Sequence, residues 1–216
     1  PQISLDAGEV IGLEALVRWQ HPVRGLISPA HFIPVAEESG LIVDIGNWVL
    51  KTACCQYVEW MDEGLVSGTI AVNVSAHQFR QPDFIDTVEE ALIRCGLRPE
   101  HLELELTESV VMHGIEDVLC KLEELDQLGI KLAIDDFGTG YSSLTYLKHL
   151  PAEIIKIDQS FVRDMLVDDD DLAIVKGVIG LANAFQRGVI AEGVESAEHG
   201  KALLELGCEQ AQGFGI

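Results

Sequence analysis

Leu102-Glu103-Leu104-Glu105-Leu106-Thr107 puts three leucines on one side of a two-residue repeat and two glutamates on the other. An extended strand produces that period, because successive side chains leave it on opposite faces. The leucine face needs apolar cover, and glutamates buried on the other face need cations or hydrogen-bond donors. A strand with helices packed on its outer face and a closed interior behind it meets both needs, which is the situation in a β/α barrel.

Outward from this stretch, strand and helix periods alternate along the chain. Strands are predicted at Gln2–Leu5, Val10–Arg18, Thr69–Val74, His101–Thr107, Lys131–Asp135, Glu153–Asp158, Val189–Glu192 and Cys208–Gln212. Helices are predicted at Ala30–Ser39, Asp44–Asp62, Asp83–Cys95, Ile115–Leu128, Leu172–Gln186 and Ala197–Leu206, with a short one near Ser142–Lys148. Several of these stop at a glycine (Gly40, Gly64, Gly96, Gly129, Gly207), the residue that most easily adopts the left-handed turn after a helix. Only Asp6-Ala7-Gly8-Glu9 separates the first two strands, which is a turn and makes them antiparallel. The predicted fold class is therefore α/β, a modified TIM-type (β/α)8 barrel with an antiparallel first strand. The acidic run Asp168–Asp171 reads as a solvated loop and helix start.

The 216 residues, 48% hydrophobic and 23% charged, suit one domain over 1–216 with a full core. A net charge of −22 excludes a surface built to bind nucleic-acid backbone, which works through lysine and arginine. An anionic substrate would have to be drawn in by bound metal ions. The cysteines at 54, 55, 95, 120 and 208 have neither metal-ligand spacing nor the clustering of a disulfide scaffold, so reduced, buried thiols are expected. No stretch reaches the length of a membrane span, and a cytoplasmic domain without direct membrane insertion is expected. Pro1-Gln2 opens straight into a strand pattern and Phe214-Gly215-Ile216 stops inside another. The expectation is a domain slightly truncated at both ends within a larger multidomain protein, with room for a parent anchored to the inner membrane.

A barrel of this type carries its active site at the C-terminal ends of its strands. Those ends supply Asn73, Glu105, Asp135-Asp136, Lys156 with Asp158, Glu192 and Gln212, while Glu14 interrupts an apolar second strand. Any one of these acids could be satisfied by a neighbouring cation or by backbone. As a set they are oxygen-rich, without a cysteine pair or an HExxH motif, which favours Mg²⁺ or Mn²⁺ over zinc. A lysine among such acids stays charged and can orient water. A glycosidase using two carboxylates would leave Asn73, Lys156 and the adjacent aspartates without a role.

Seven ordered segments carry a more specific likeness: Glu14-Ala15-Leu16, Val72–Ser75, Glu103–Glu108, Asp135–Ser143, Lys156-Ile157-Asp158, Ala191–Glu195 and Gln212-Gly213. Together they resemble the EAL-domain cyclic-di-GMP-specific phosphodiesterase family across essentially the whole chain. The resemblance implies metal-dependent hydrolysis of cyclic-di-GMP to linear pGpG, lowering this second messenger in bacterial signalling. It implies two divalent cations, Mg²⁺ or Mn²⁺, with Ca²⁺ inhibitory. Glu14, Asn73, Glu105 and Asp135 would hold one ion, and Asp135 with Asp136 the second. Lys156 would touch the attacking water, Glu192 and Gln212 would position water at the second ion, and Asp158 and Glu195 would support them. Arg18 would contact substrate phosphate and Glu108 would steady the Asp136–Ser143 loop. A homodimer with its interface near Asp136–Lys148 is implied, with apolar Leu144, Tyr146 and Leu147 in that stretch, as are sensory or GGDEF domains in the parent chain. The competing reading is a catalytically silent cyclic-di-GMP receptor or scaffold, but every matched ligand position holds its competent residue.

Overall fold

The computed structural model describes residues 1–112, 115–139 and 147–216. Eight of the strands close into a barrel: β1 (Gln2–Ser4), β2 (Val10–Ala15), β5 (Thr69–Asn73), β6 (Leu102–Thr107), β7 (Lys131–Phe137), β8 (Ile154–Ile157), β9 (Gly188–Glu192) and β10 (Gln210–Gln212). Around the barrel they run β1, β10, β9, β8, β7, β6, β5, β2. β1 is antiparallel to both of its neighbours, and every other pairing is parallel. The α/β barrel with an antiparallel first strand is thus the observed architecture, and each predicted strand lies in it.

Leu102, Leu104 and Leu106 are buried in the apolar layer outside the barrel wall, while Glu103 and Glu105, each 1% exposed, face the interior. The outer layer is covered by helices α1 (Pro29–Ser39), α2 (Ile42–Asp62), α3 (Ala76–Phe79), α4 (Phe84–Cys95), α5 (Glu108–Met112), α6 (Ile115–Gln127), α7 (Gln159–Asp164), α8 (Asp169–Ala184) and α9 (Ala197–Glu205). α4 shows the local logic. Phe84, Val88, Ala91 and Leu92 recur at helical spacing on its buried face, and Gly96 ends it with a left-handed residue at φ 73°. Asp168 caps α8 by accepting from the amides of Asp170 and Asp171, so the acidic run is a helix start.

The structure departs from the sequence expectation in three places. The second strand stops at Ala15, before the predicted Arg18, and a two-stranded hairpin follows, β3 (Trp19–His21) with β4 (Gly25–Ile27). Its turn is held by His21 Nδ1, which accepts from the amides of Val23 and Arg24, both at 3.1 Å. The β7 strand runs two residues past Asp135. Cys55 on α2 and Cys95 at the end of α4 form a disulfide across 40 residues, correcting the expectation of reduced thiols; Cys54 and Cys208 are buried and free, and Cys120 is exposed. The pairing arises because the two helices pack side by side, which linear spacing does not show. The predicted short helix near Ser142–Lys148 falls outside the described residues except for its last two positions. Leu144 and Tyr146 lie outside them too, and Leu147 is fully buried within the chain and not presented at a surface.

Candidate active site

Lys156 is 0% exposed and projects from β8 into the barrel mouth. Its Nζ lies 2.6 Å from Glu105 (β6), 2.6 Å from Glu192 (β9), 3.5 Å from Asp135 (β7) and 3.9 Å from Glu14 (β2). Four separate strands therefore aim carboxylates at one ammonium. Burial alone would discharge the lysine, but the fields of Glu105, Asp135, Glu192 and Glu14 outweigh it and hold its pKa well above the ordinary value. Glu105 Oε1 takes this short ion pair, and Glu105 Oε2 is buried without a donor among the described residues.

Glu14 is gripped from two sides: Asn73 Nδ2 donates to its Oε1 at 2.6 Å, and Gln212 Nε2 donates to its Oε2 at 2.5 Å. The amide oxygen of Gln212 is buried with no donor among the described residues. Asp135 and Asp136 are adjacent in a strand and would ordinarily point to opposite faces. The β7–β8 pairing slips between Ile134 and Phe137, and Asp136 adopts a left-handed backbone at φ 53°, a conformation that aspartate tolerates better than most side chains. This bulge brings Asp135, Asp136 and Glu192 together, each offering an oxygen within 4.8 Å of the others.

The cluster holds more acid than it can ionise alone. Burial pushes Glu105 well above the usual carboxylate range, despite Lys156. Glu192 rises to about 7 through burial and the charge of Asp135. Asp136 rises to about 6 through burial, then Asp135, then the neighbouring Asp158 carboxyl. Asp158 also caps α7, accepting from the Ser160 amide at 2.9 Å and from its hydroxyl. Five carboxylates (Glu14, Glu105, Asp135, Asp136, Glu192) face one lysine, and the donor set is all oxygen with orphaned Glu105 and Gln212 atoms. Such a set fits hard divalent cations.

The remaining predicted residues sit around this centre. Glu108, 3% exposed at the start of α5, accepts from the amide of Gly138 at 3.2 Å, tying the segment after Asp136 to the end of β6. Gln212 is followed by Gly213, where a Cβ would fall 2.1 Å from the Val194 carbonyl, so a side chain there would displace the strand end. Arg18 is exposed and, among the described residues, donates to the carbonyl of Val17 at 3.0 Å; it borders a cleft of about 300 Å³ shared with Leu16, Asn73 and Thr107. Glu195 is exposed beside Arg163 and makes no described contact with the acid cluster. A residue without a sequence signal is Gln2: it is 2% exposed beside Glu103, forming a lower polar layer in the barrel, and its side-chain oxygen would lie 2.6 Å from a Cβ at Gly12. Burial raises Glu103, while Lys156, Lys131 and Gln2 counter it.

Comparison with known proteins places the chain in a family. The model of the EAL domain matches residues 1–216, and the chain belongs to that family. It is 48% identical over 214 residues to the bifunctional diguanylate cyclase/cyclic di-GMP phosphodiesterase MucR of Pseudomonas aeruginosa, covering 99% of this chain and 31% of the relative. The cyclic di-GMP phosphodiesterase NbdA of the same organism is 42% identical over 214 residues, covering 99% of this chain and 27% of the relative. Among solved structures, the PaMucR phosphodiesterase in complex with c-di-GMP superposes with a TM-score of 0.96 at 48% identity, over 99% of this chain and 87% of that one. The chain spans about a third of the length of three of the curated relatives it matches.

Proposed function

We propose that this domain hydrolyses one phosphodiester bond of cyclic-di-GMP, giving linear pGpG, with the help of two Mg²⁺ or Mn²⁺ ions. The observation that carries the reading is Lys156, fully buried and held charged between Glu105, Asp135, Glu192 and Glu14 at the barrel mouth. MucR and NbdA, named for cyclic-di-GMP phosphodiesterase activity, support the substrate.

Glu14, Asn73, Glu105 and Asp135 would hold one cation, and Asp135 and Asp136 the other. Two divalent ions would supply the charge to polarise a phosphoryl oxygen and to acidify water. Two such ions also match the charge left when five ionised carboxylates meet one ammonium. Asn73 would then turn its oxygen, not its amide nitrogen, toward the ion, since only the oxygen has a lone pair to give.

The protein's own groups do the rest. Lys156 donates through Nζ to the attacking water and aims it at phosphorus. Glu192 and Gln212 would position water at the second cation, and Glu192 is poised near neutrality to take up a proton on its carboxylate. Arg18 presents a fork of donors to phosphate at the edge of the cleft. Asp158 supports Asp136 from the α7 cap, Glu195 supports from the rim, and Glu108 fixes Gly138. Ca²⁺ would occupy the centre without supporting turnover, because it accepts looser geometry. The same reading includes a homodimer near Asp136–Lys148 and a cytoplasmic domain joined to sensory or GGDEF domains; the cyclase half of MucR's name favours the latter. No helix among the described residues is long and apolar enough to cross a membrane.

The test is chromatography of products after incubating purified protein with cyclic-di-GMP and Mg²⁺ or Mn²⁺. Accumulation of pGpG supports the reading. Binding of the dinucleotide without turnover in either metal would replace it with a receptor.

A further inference from the structure

Behind the α1 face that borders the mouth cleft lies a second groove of about 580 Å³, walled by the β3–β4 hairpin, α1 and the start of α2. Its volume falls in the range of small-molecule sites. Trp19 on β3, at 45% exposure, and Trp48 on α2, at 61%, both line it, and Phe32 meets Trp19 edge-on at 5.8 Å. Arg18, Arg24 and His31 reach the same groove, and none of the residues lining it is acidic. In a chain with 36 acids against 14 lysines and arginines, an acid-free pocket carrying two arginines and a histidine is a local reversal of charge. Arg24 and His31 form no ion pair among the described residues, and Arg24 is set in place by the His21-fastened hairpin turn.

We propose that this groove binds a nucleoside 5′-monophosphate, with the base against Trp48 and Trp19 and the phosphate met by Arg24 and His31. Indole faces stack on any base, and a guanidinium is the side chain best matched to a phosphate's paired oxygens. A purely apolar ligand would leave the cations unused, and inorganic phosphate would leave the indoles unused. The combination selects a molecule with both parts. The groove is lined by no member of the acid cluster and shares Val17, Arg18 and Ile45 with the mouth cleft.

Isothermal titration calorimetry with GMP, on the whole chain in EDTA, tests this independently of turnover. Saturable binding is expected, with guanosine and inorganic phosphate each binding about tenfold or more weakly than GMP. Trp48→Ala and Arg24→Glu should each weaken GMP by about tenfold, the scale of one lost stack or one lost charged contact. Both side chains are exposed, and circular dichroism checks that the variants fold. Asp135→Asn, which disables the acid cluster, should bind GMP as the parent does. The proposal is overturned by absence of saturable heat, by unchanged affinity in both groove variants, by phosphate binding as well as GMP, or by loss of binding in Asp135→Asn.

Discussion

Replacing Lys156 by alanine separates the electrostatic role of this residue from its chemical one. In the metal-free protein the ammonium is 0% exposed and has carboxylates at 2.6, 2.6, 3.5 and 3.9 Å. Its loss leaves those charges uncompensated. Removing one partner of a buried charged pair costs about 3–5 kcal/mol, and a chain of this size loses roughly 2–4 °C per kcal/mol, so the melting temperature at pH 8 should drop by about 6–20 °C. The drop should shrink toward pH 5, where the carboxylates can protonate instead, and it should shrink again when Mg²⁺ or Mn²⁺ supplies the missing charge. Turnover behaves differently. With metal loaded and the fold restored, kcat should remain down by about 10² or more, because no group is left to aim the water, while dinucleotide affinity stays within several-fold. Calorimetry, metal analysis and product chromatography on one Lys156→Ala preparation check all three quantities. Near-normal kcat in a folded, metal-loaded variant would refute the catalytic assignment, and an unchanged metal-free melting temperature would refute the electrostatic one.

The raised carboxylates predict a pH dependence of opposite sign to ordinary acid unfolding. A carboxyl whose folded pKa is raised contributes its stability fully below the unfolded value and loses it as pH climbs through the folded one; with Asp136 at about 6 and Glu192 at about 7, metal-free stability from this cluster should fall between about pH 4 and 7. Added Mg²⁺ should therefore raise the melting temperature more at pH 8 than at pH 5, and a Glu192→Gln variant should show a flatter metal-free profile; equal slopes in the two proteins would contradict this. At Asp136, backbone and charge can be separated: Asp136→Asn tolerates the φ of 53° and should keep its stability while losing metal affinity, whereas Asp136→Val should lose both, at a strain cost of about 1–3 kcal/mol, measured by denaturant unfolding and metal titration. Reducing the Cys55–Cys95 bond, or replacing both residues by serine, should cost about 4 kcal/mol from the chain entropy released over a 40-residue separation, with the acid cluster and turnover untouched; urea midpoints with and without dithiothreitol provide the comparison.

The parts of this molecule that were legible in its sequence share one property: their cause lies within a few residues. Leu102–Thr107 shows its inward and outward faces by alternation alone, the four-residue Asp6–Glu9 turn forces the antiparallel start, and each acid at a strand end is visible where it stands. What was not legible depends on neighbours distant in the chain. The Trp19–Ile27 hairpin breaks away because β2 pairs with β1 only at Val10 and Gly12 and with β5 only as far as Ala15↔Val72, so its partnered length ends at Ala15. Cys55 meets Cys95 because α2 lies against α4. Gln2 is a lone polar residue whose burial follows only from barrel closure with β10.

The acid pair shows where these two kinds of information join. Alternation sends Asp135 and Asp136 to opposite faces, yet both reach the mouth, and the slip in β7–β8 pairing together with the left-handed Asp136 is what reconciles them. A strand without the bulge would keep Asp135 beside Lys156 but turn Asp136 toward the apolar layer under the helices, where a buried charge is costly unless paired. The local strain is therefore tied to the chemistry. It costs about 1–3 kcal/mol at one residue, and in exchange the strand supplies two adjacent carboxylates to one side. Glu108 secures the arrangement from outside the cluster, since its bond to Gly138 holds the chain immediately after the distorted residue.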